Sequence, residues 1–137
     1  MSYELREHTA DVAVEATGAT LGETFAAVAD GMAAAMCDEI PEMGERRDIV
    51  VSAEGREALL FDYLDELIYE RDVRSVLPVD NGATVVEGGD GDWSLSGSYR
   101  GVGLDTVTAR DLKAVTYSEM SVAETADGWR AYVVFDV

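Results

Sequence analysis

The chain has 137 residues, 47% of them hydrophobic, which is typical of one compact domain with an apolar core. Its 28 acidic and 10 basic residues leave a formal net charge of −18, which argues against direct, non-specific binding to nucleic acid. Cys37 is the only cysteine and His8 the only histidine, so an intramolecular disulfide and a zinc site of clustered His and Cys ligands are both excluded.

The basic residues are strongly biased, with nine arginines and a single lysine, Lys113. The negative charges, which are in large excess, repel one another and destabilise the compact state. At about 1 M salt the Debye length falls to about 3 Å, and this repulsion is largely screened. We therefore expect a halophilic host.

The N-terminal residues Met1-Ser2-Tyr3-Glu4 have neither the basic start nor the apolar core of a secretory signal. No apolar stretch approaches the roughly 20 residues that a membrane span needs. We expect a cytoplasmic protein that makes no contact with a membrane.

In the first half of the chain, residues 2–8, 11–17 and 48–54 are predicted to form strands. Thr20-Leu21-Gly22-Glu23 matches a capping box, which predicts the start of a helix. The helix is predicted to continue to about Cys37, because its apolar residues recur at spacings of three and four, as Leu21, Phe25, Val28, Met32 and Met36. A second helix is predicted over 56–71. Its apolar face repeats at intervals of three and four residues, as Leu59, Leu60, Tyr63, Leu64, Leu67 and Ile68.

The second half is predicted to be rich in strands, at 73–79, 83–88, 92–101, 112–123 and 129–137. Turns are expected at 80–82, 88–91 and 127–128, where Gly, Asn and Asp cluster. The fold class is therefore predicted as α+β. We expect one two-layer domain over 1–137, with two helices packed on one face of a mostly antiparallel or mixed β-sheet.

The last predicted strand is apolar and continues to the final residue. If a sheet holds this strand, the carboxylate of Asp136 and the α-carboxylate of Val137 lie close together and repel each other. A divalent cation would remove that repulsion, and Asp11 could supply a third oxygen ligand. With so few His and Cys residues, the metal would be a hard cation such as calcium or magnesium. A solvated strand end is the alternative.

Lys113 begins the run Lys113-Ala114-Val115-Thr116-Tyr117. In a chain that otherwise uses arginine, a retained lysine favours a specific role, because its compact ammonium can contact a phosphate or carboxylate as a point charge. Glu119 lies six residues further on. In a regular strand it would share the face of Lys113 and could add an acidic group near the site. His8 could act as a base or bond to the shell of a metal, although a lone histidine is more often structural.

Three features together resemble the archease family: His8-Thr9-Ala10-Asp11, the run beginning at Lys113, and the C-terminal Phe135-Asp136-Val137. The similarity extends over essentially the whole chain. It implies a non-enzymatic partner of the RtcB-type tRNA-splicing ligase that promotes guanylylation of the ligase and multiple turnover. It also implies a metal, calcium foremost with magnesium or manganese as alternatives, held by Asp11, Asp136 and Val137.

The resemblance further implies that Lys113 is needed for activity and that tRNA is reached only through the ligase. Ser118 departs from the family pattern, because many archeases carry histidine after the motif tyrosine, so we assign Ser118 no role. Two other function classes stay open. One is a chaperone or modulator of another RNA-modifying enzyme, and the other is a metal-dependent hydrolase using three carboxylates.

Overall fold

A computed structural model describes residues 2–8 and 11–137, and for residues 6–8 it describes the backbone alone. The chain order of the elements is β1 Ser2–His8, β2 Asp11–Gly18, α1 Leu21–Met36, β3 Glu45–Glu54, α2 Arg56–Arg74, β4 Val76–Glu87, β5 Asp92–Gly103, β6 Ala114–Thr125 and β7 Gly128–Asp136. A short 3-10 helix over Leu104–Thr106 follows β5.

The strands form two antiparallel sheets. The four-stranded sheet has the order β1-β2-β7-β6, and the three-stranded sheet has the order β3-β5-β4. Helix α1 packs against β1, β2, β7 and β4, while α2 packs against β3, β4, β5 and β6, so each helix contacts both sheets. The predicted α+β class is confirmed, with the strands divided between two sheets.

Helix α1 begins as its capping box predicts, because Thr20 Oγ1 accepts the backbone N–H of Glu23 at 3.1 Å. Its predicted apolar face, formed by Leu21, Phe25, Val28, Met32 and Met36, is buried. The first turn of the helix lies directly against β4. A Cβ atom on Gly22 would come within 2.3 Å of the carbonyl oxygen of Ala83.

Two predicted boundaries in the middle of the chain are wrong. Helix α2 continues to Arg74, and Ser75 ends it in the left-handed conformation with φ 54°, so no strand begins at residue 73. Residues 80–82 do not form a hairpin turn, because β4 runs through them as one strand paired with β5. Among the described helices, none is both long and apolar enough to cross a bilayer.

The segment misread as a turn is a β-bulge. Val79 pairs with Arg100 and Gly82 with Ser98, so Asp80 and Asn81 together oppose Tyr99. Asp80 has a φ of 50°, which aspartate tolerates better than most residues. The composition of a turn is therefore used here to bend a continuous strand.

Candidate functional site

Four chain segments meet at one end of the four-stranded sheet: the end of β1, the start of β2, the end of β7 and the start of β6. Asp11 pairs with His8 of β1 on one side and with Asp136 of β7 on the other. Asp136 in turn pairs with Ala114 of β6. The antiparallel pairing thus brings together residues from both ends of the chain.

Asp11 and Asp136 are direct cross-strand partners. Residues opposite each other in an antiparallel pair present their side chains on the same face, with Cβ atoms roughly 5 Å apart. Two carboxylates in this arrangement repel each other, and Asp136 is exposed while Asp11 is half-buried. Two carboxylate side chains on one face of the sheet end offer oxygen donors of the type that calcium and magnesium take as ligands.

Lys113 lies immediately before β6, and its backbone N–H donates to the carbonyl oxygen of Asp136 at 2.8 Å. The lysine side chain is exposed at this sheet end. An ammonium group and two carboxylates are therefore carried by adjoining chain segments.

Val137 follows Asp136 directly and is 45% exposed. Within the described part of the chain, no three His, Cys, Asp or Glu side chains gather as potential metal ligands. The predicted ligand set of Asp11, Asp136 and the α-carboxylate of Val137 contains only two side chains, and it stays a prediction. An all-oxygen donor set of this kind suits calcium, magnesium or manganese.

Residues 3–137 match the model of the Archease protein family (MTH1598/TM1083). The chain belongs to the archease family.

Relatives of this archease match it over nearly their full length. A protein archease of Methanosarcina barkeri is 32% identical over 139 residues, covering 98% of this chain and 95% of the relative. The solution structure of Methanobacterium thermoautotrophicum protein 1598 is 28% identical, with a TM-score of 0.85 and 99% of each chain covered.

A more distant fold neighbour is the crystal structure of an archease from Thermotoga maritima, described as a possible chaperone. It is 20% identical to this archease, with a TM-score of 0.59, and the match covers 98% of this chain and 96% of the other. At that identity the likeness supports the shared fold.

The structure does not give Glu119 the regular strand position on which its predicted role depended. The register of β6 against β7 shifts between Thr116 and Ser121, and Glu119 has a φ of 58° within this bulge. Alternation of faces from Lys113 to Glu119 is therefore interrupted. The side chain of His8 lies outside the described residues, so its role stays a prediction.

Tyr117 lies in the same bulge of β6. Tyr117 is exposed, and its ring stacks on Phe61 of α2 with centroids 4.1 Å apart and planes 6° apart. Burial against the helix, with the nearby charge of Asp62, raises the pKa of the Tyr117 hydroxyl. This stack joins the bulge to α2.

Sequence reasoning missed Arg71, which is buried near the end of α2 and donates from Nη1 to the carbonyl oxygen of Leu112 at 2.6 Å. A signal was present, because Arg71 follows Leu67 and Ile68 at spacings of four and three and so falls on the apolar face of the helix. A charged residue on that face requires a buried partner.

Proposed function

We propose that this archease is a metal-binding, non-catalytic activator of an RtcB-type RNA ligase, promoting its guanylylation and multiple turnover in the cytoplasm. The observation that carries the proposal is the cross-strand pairing of Asp11 with Asp136, with the backbone of Lys113 bonded to Asp136. It supports the proposal because three of the residues singled out by the family resemblance share one sheet end.

The donor set fits a hard divalent cation, calcium foremost, with magnesium or manganese as alternatives. Asp11, Asp136 and the α-carboxylate of Val137 would hold it, since all three offer oxygen atoms and carry negative charge. When bound, such an ion supplies positive charge to phosphate oxygens. The carboxylates would hold it at an exposed sheet end.

Lys113 would act toward the partner. Its exposed ammonium can contact a nucleotide phosphate or an acidic group of the ligase as a point charge, without transferring a proton. The net charge of −18 makes direct binding of tRNA unfavourable, so RNA would be reached through the ligase.

The test is RNA ligation by the cognate ligase at limiting enzyme in high salt, with and without this chain. Activation predicts several products per ligase only when the chain is present. Asp11→Asn, Asp136→Asn and Lys113→Ala should each reduce it, by about tenfold or more where a charge contact to the reacting groups is lost.

Asp90→Asn is the matched control. It removes the same charge from an exposed turn between the strands of the other sheet and should leave activation unchanged. Full activation by the double variant Asp11→Asn/Asp136→Asn would overturn the proposal.

Metal binding can be tested without the ligase. Calcium should raise the thermal midpoint of the wild-type chain, since a ligand that binds only the folded state stabilises it. Asp136→Asn should remove that response while Asp90→Asn keeps it. An equal calcium response in all three proteins would assign the effect to general screening.

A chaperone, or a modulator of another RNA-modifying enzyme, is the second candidate. The exposed ring of Tyr117, stacked on the half-buried Phe61, favours it, because aromatic side chains at a surface are suited to binding apolar segments of a client. Suppression of aggregation of unrelated proteins that Tyr117→Ser abolishes, with no effect on ligation, would replace the activator proposal.

A further inference from the structure

We infer that Arg71 is a positioning residue for Lys113, acting through the backbone of Leu112; the functional part of this inference rests on the proposed role of Lys113. Arg71 is 8% exposed in the last turns of α2. Its Nη1 donates to the Leu112 carbonyl oxygen at 2.6 Å, one residue before Lys113.

The surroundings of Arg71 explain why this contact matters. Its Nη1 also lies 3.4 Å from the sulfur of Met36, and its Nε donates to Asp72 Oδ1 at 3.0 Å. The Asp72 side chain is largely exposed, so the oxygen that Arg71 meets in the interior is the Leu112 carbonyl. A buried guanidinium needs such an acceptor, and removing Arg71 would leave the carbonyl unpaired.

The segment held by this contact, residues 108–113, has no regular secondary structure. It borders an open groove of about 480 Å³ lined in part by Met36, Arg71 and Arg110. On that side, side-chain packing does not fix the segment. Polar contacts and the buried side chain of Leu112 therefore determine its path.

Two arginines anchor the segment at different points. Arg110 bonds to the end of α1, with its N–H on Met36 O at 2.6 Å and its Nε on Ala35 O at 3.1 Å. Arg71 holds the chain two residues later, next to Lys113. Displacement of the Leu112 carbonyl would move Lys113 relative to Asp136, to which its N–H is bonded.

Arginine suits this position better than lysine would. Its planar fork bonds the Leu112 carbonyl from one nitrogen and the Asp72 carboxylate from another. A lysine ammonium has one nitrogen on a flexible stem and cannot hold both acceptors in the same way. Arg71→Lys is thus a conservative variant that keeps the charge but weakens the anchor.

The first experiment is amide hydrogen exchange by NMR on the full chain, comparing Arg71→Leu with Arg74→Leu. Arg74 lies on the same helix end, is exposed and pairs with Glu70, so its variant has the same charge change. We expect the Lys113 amide to exchange about tenfold faster or more in Arg71→Leu. The Arg74→Leu protein should match the wild type. The Val14 amide in the core reports any loss of global stability, so in Arg71→Leu the exchange of the Lys113 amide should accelerate more than that of Val14.

The second experiment is the ligation assay on the same proteins. Arg71→Leu should lower activation by about tenfold, Arg71→Lys by less, and Arg74→Leu should have no effect. If Arg71→Leu does not fold, Arg71→Lys carries the comparison, with a smaller change in the same direction. A Lys113 amide as protected in the Arg71 variants as in the wild type would overturn the inference.

The two proposals fail separately. If Lys113→Ala activates normally, the proposed function of that site is wrong, and hydrogen exchange still decides whether Arg71 anchors the segment. If Lys113→Ala is inactive while a folded Arg71→Leu activates fully, the positioning inference is wrong and the proposed function stands.

Discussion

The carboxylate of Asp30 on α1 accepts two hydrogen bonds from Asn81 in the β4 bulge, from the backbone N–H at 2.9 Å and from Nδ2 at 2.8 Å. Asn81 is buried. Burial raises the pKa of the Asp30 carboxyl above its usual range, although the bonds from Asn81 partly oppose the shift. A titratable group is therefore held at the point where helix and bulge meet.

Replacing Asp30 tests what this carboxylate contributes. Asp30→Ala should lower the free energy of unfolding by about 1–3 kcal/mol, because the two Asn81 donors lose their acceptor. Asp30→Asn should cost less, since an amide oxygen can still accept both bonds without a buried charge. Urea unfolding at pH 7 distinguishes the two variants. Equal losses would mean that the charge itself is needed.

The raised pKa of Asp30 gives a pH dependence with a defined sign. The folded state binds the proton more tightly than the unfolded state. The contribution of this group to the free energy of unfolding is therefore full below the unfolded pKa of about 3.9. It is lost as the pH rises through the folded pKa. The stability of the wild type relative to Asp30→Asn should therefore fall as the pH rises above about 3.9. The opposite slope would contradict the assignment.

Tyr99 and Glu70 form a second partly buried link, with the tyrosine hydroxyl donating to Glu70 Oε1 at 2.6 Å. Burial and this bond raise the pKa of Tyr99 to about 12. Tyr99→Phe should lower the free energy of unfolding at pH 7 by about 1.5–3 kcal/mol, as expected for the loss of a hydrogen bond to a charged group. Tyr69→Phe on the exposed face of α2 is the control and should be near neutral.

The cost of Tyr99→Phe should shrink in acid. Burial alone would raise the pKa of Glu70, but the bonds from Tyr99 and Arg74 outweigh it and lower the pKa. The contribution of the carboxylate is thus present above the unfolded pKa of about 4.3 and is lost as the pH falls through the folded pKa. Unfolding measured at pH 7 and at about pH 3 tests this. A constant cost would mean that the neutral acid bonds equally well.

Gly22→Ala should destabilise the protein although alanine favours a helix by about 1 kcal/mol. The added Cβ would meet the Ala83 carbonyl at 2.3 Å, and backbone must shift to relieve it. We expect a net loss of about 1–3 kcal/mol, measured by thermal or urea unfolding. Gly89→Ala, which has no atom within 4 Å of its added Cβ, should be near neutral. A Gly22→Ala protein more stable than the wild type would show that the backbone of β4 shifts at little cost in free energy.

The halophilic interpretation stays a prediction, and it implies a salt response. With a net charge of −18, the free energy of unfolding should rise from about 0.1 M to about 1 M KCl and then level off, as the Debye length falls from about 10 Å to about 3 Å. Sucrose at matched osmolality controls for exclusion of co-solutes. Stability that is flat or falling over this range would contradict the interpretation.

Local signals were sufficient where neighbours in the chain form the element. The capping box at Thr20 and the apolar spacing of α1 predicted that helix, because both depend on contacts within a few residues. The same approach failed at Asp80-Asn81-Gly82. Pairing with β5 and the bond from Asn81 to Asp30 hold this turn-like segment inside a strand.

At the candidate site, too, part of the arrangement could be predicted from the sequence and part could not. Oxygen ligands were predicted from the shortage of His and Cys and from the carboxylates of the last strand. The family resemblance then named Asp11, Asp136, Val137 and Lys113. The role predicted for Glu119 assumed an unbroken strand, which the β6 bulge interrupts. Arg71 could be noticed only as a charge on an apolar face.

The sequence by itself determined the two helices, most of the strands and the acidic surface, since these depend on residue type and short-range spacing. Only the tertiary structure decided that Asp11 opposes Asp136 and that Arg71 holds the carbonyl next to Lys113. Sheet register and the path of an irregular segment are set by contacts between residues far apart in the chain, and no local pattern encodes those contacts.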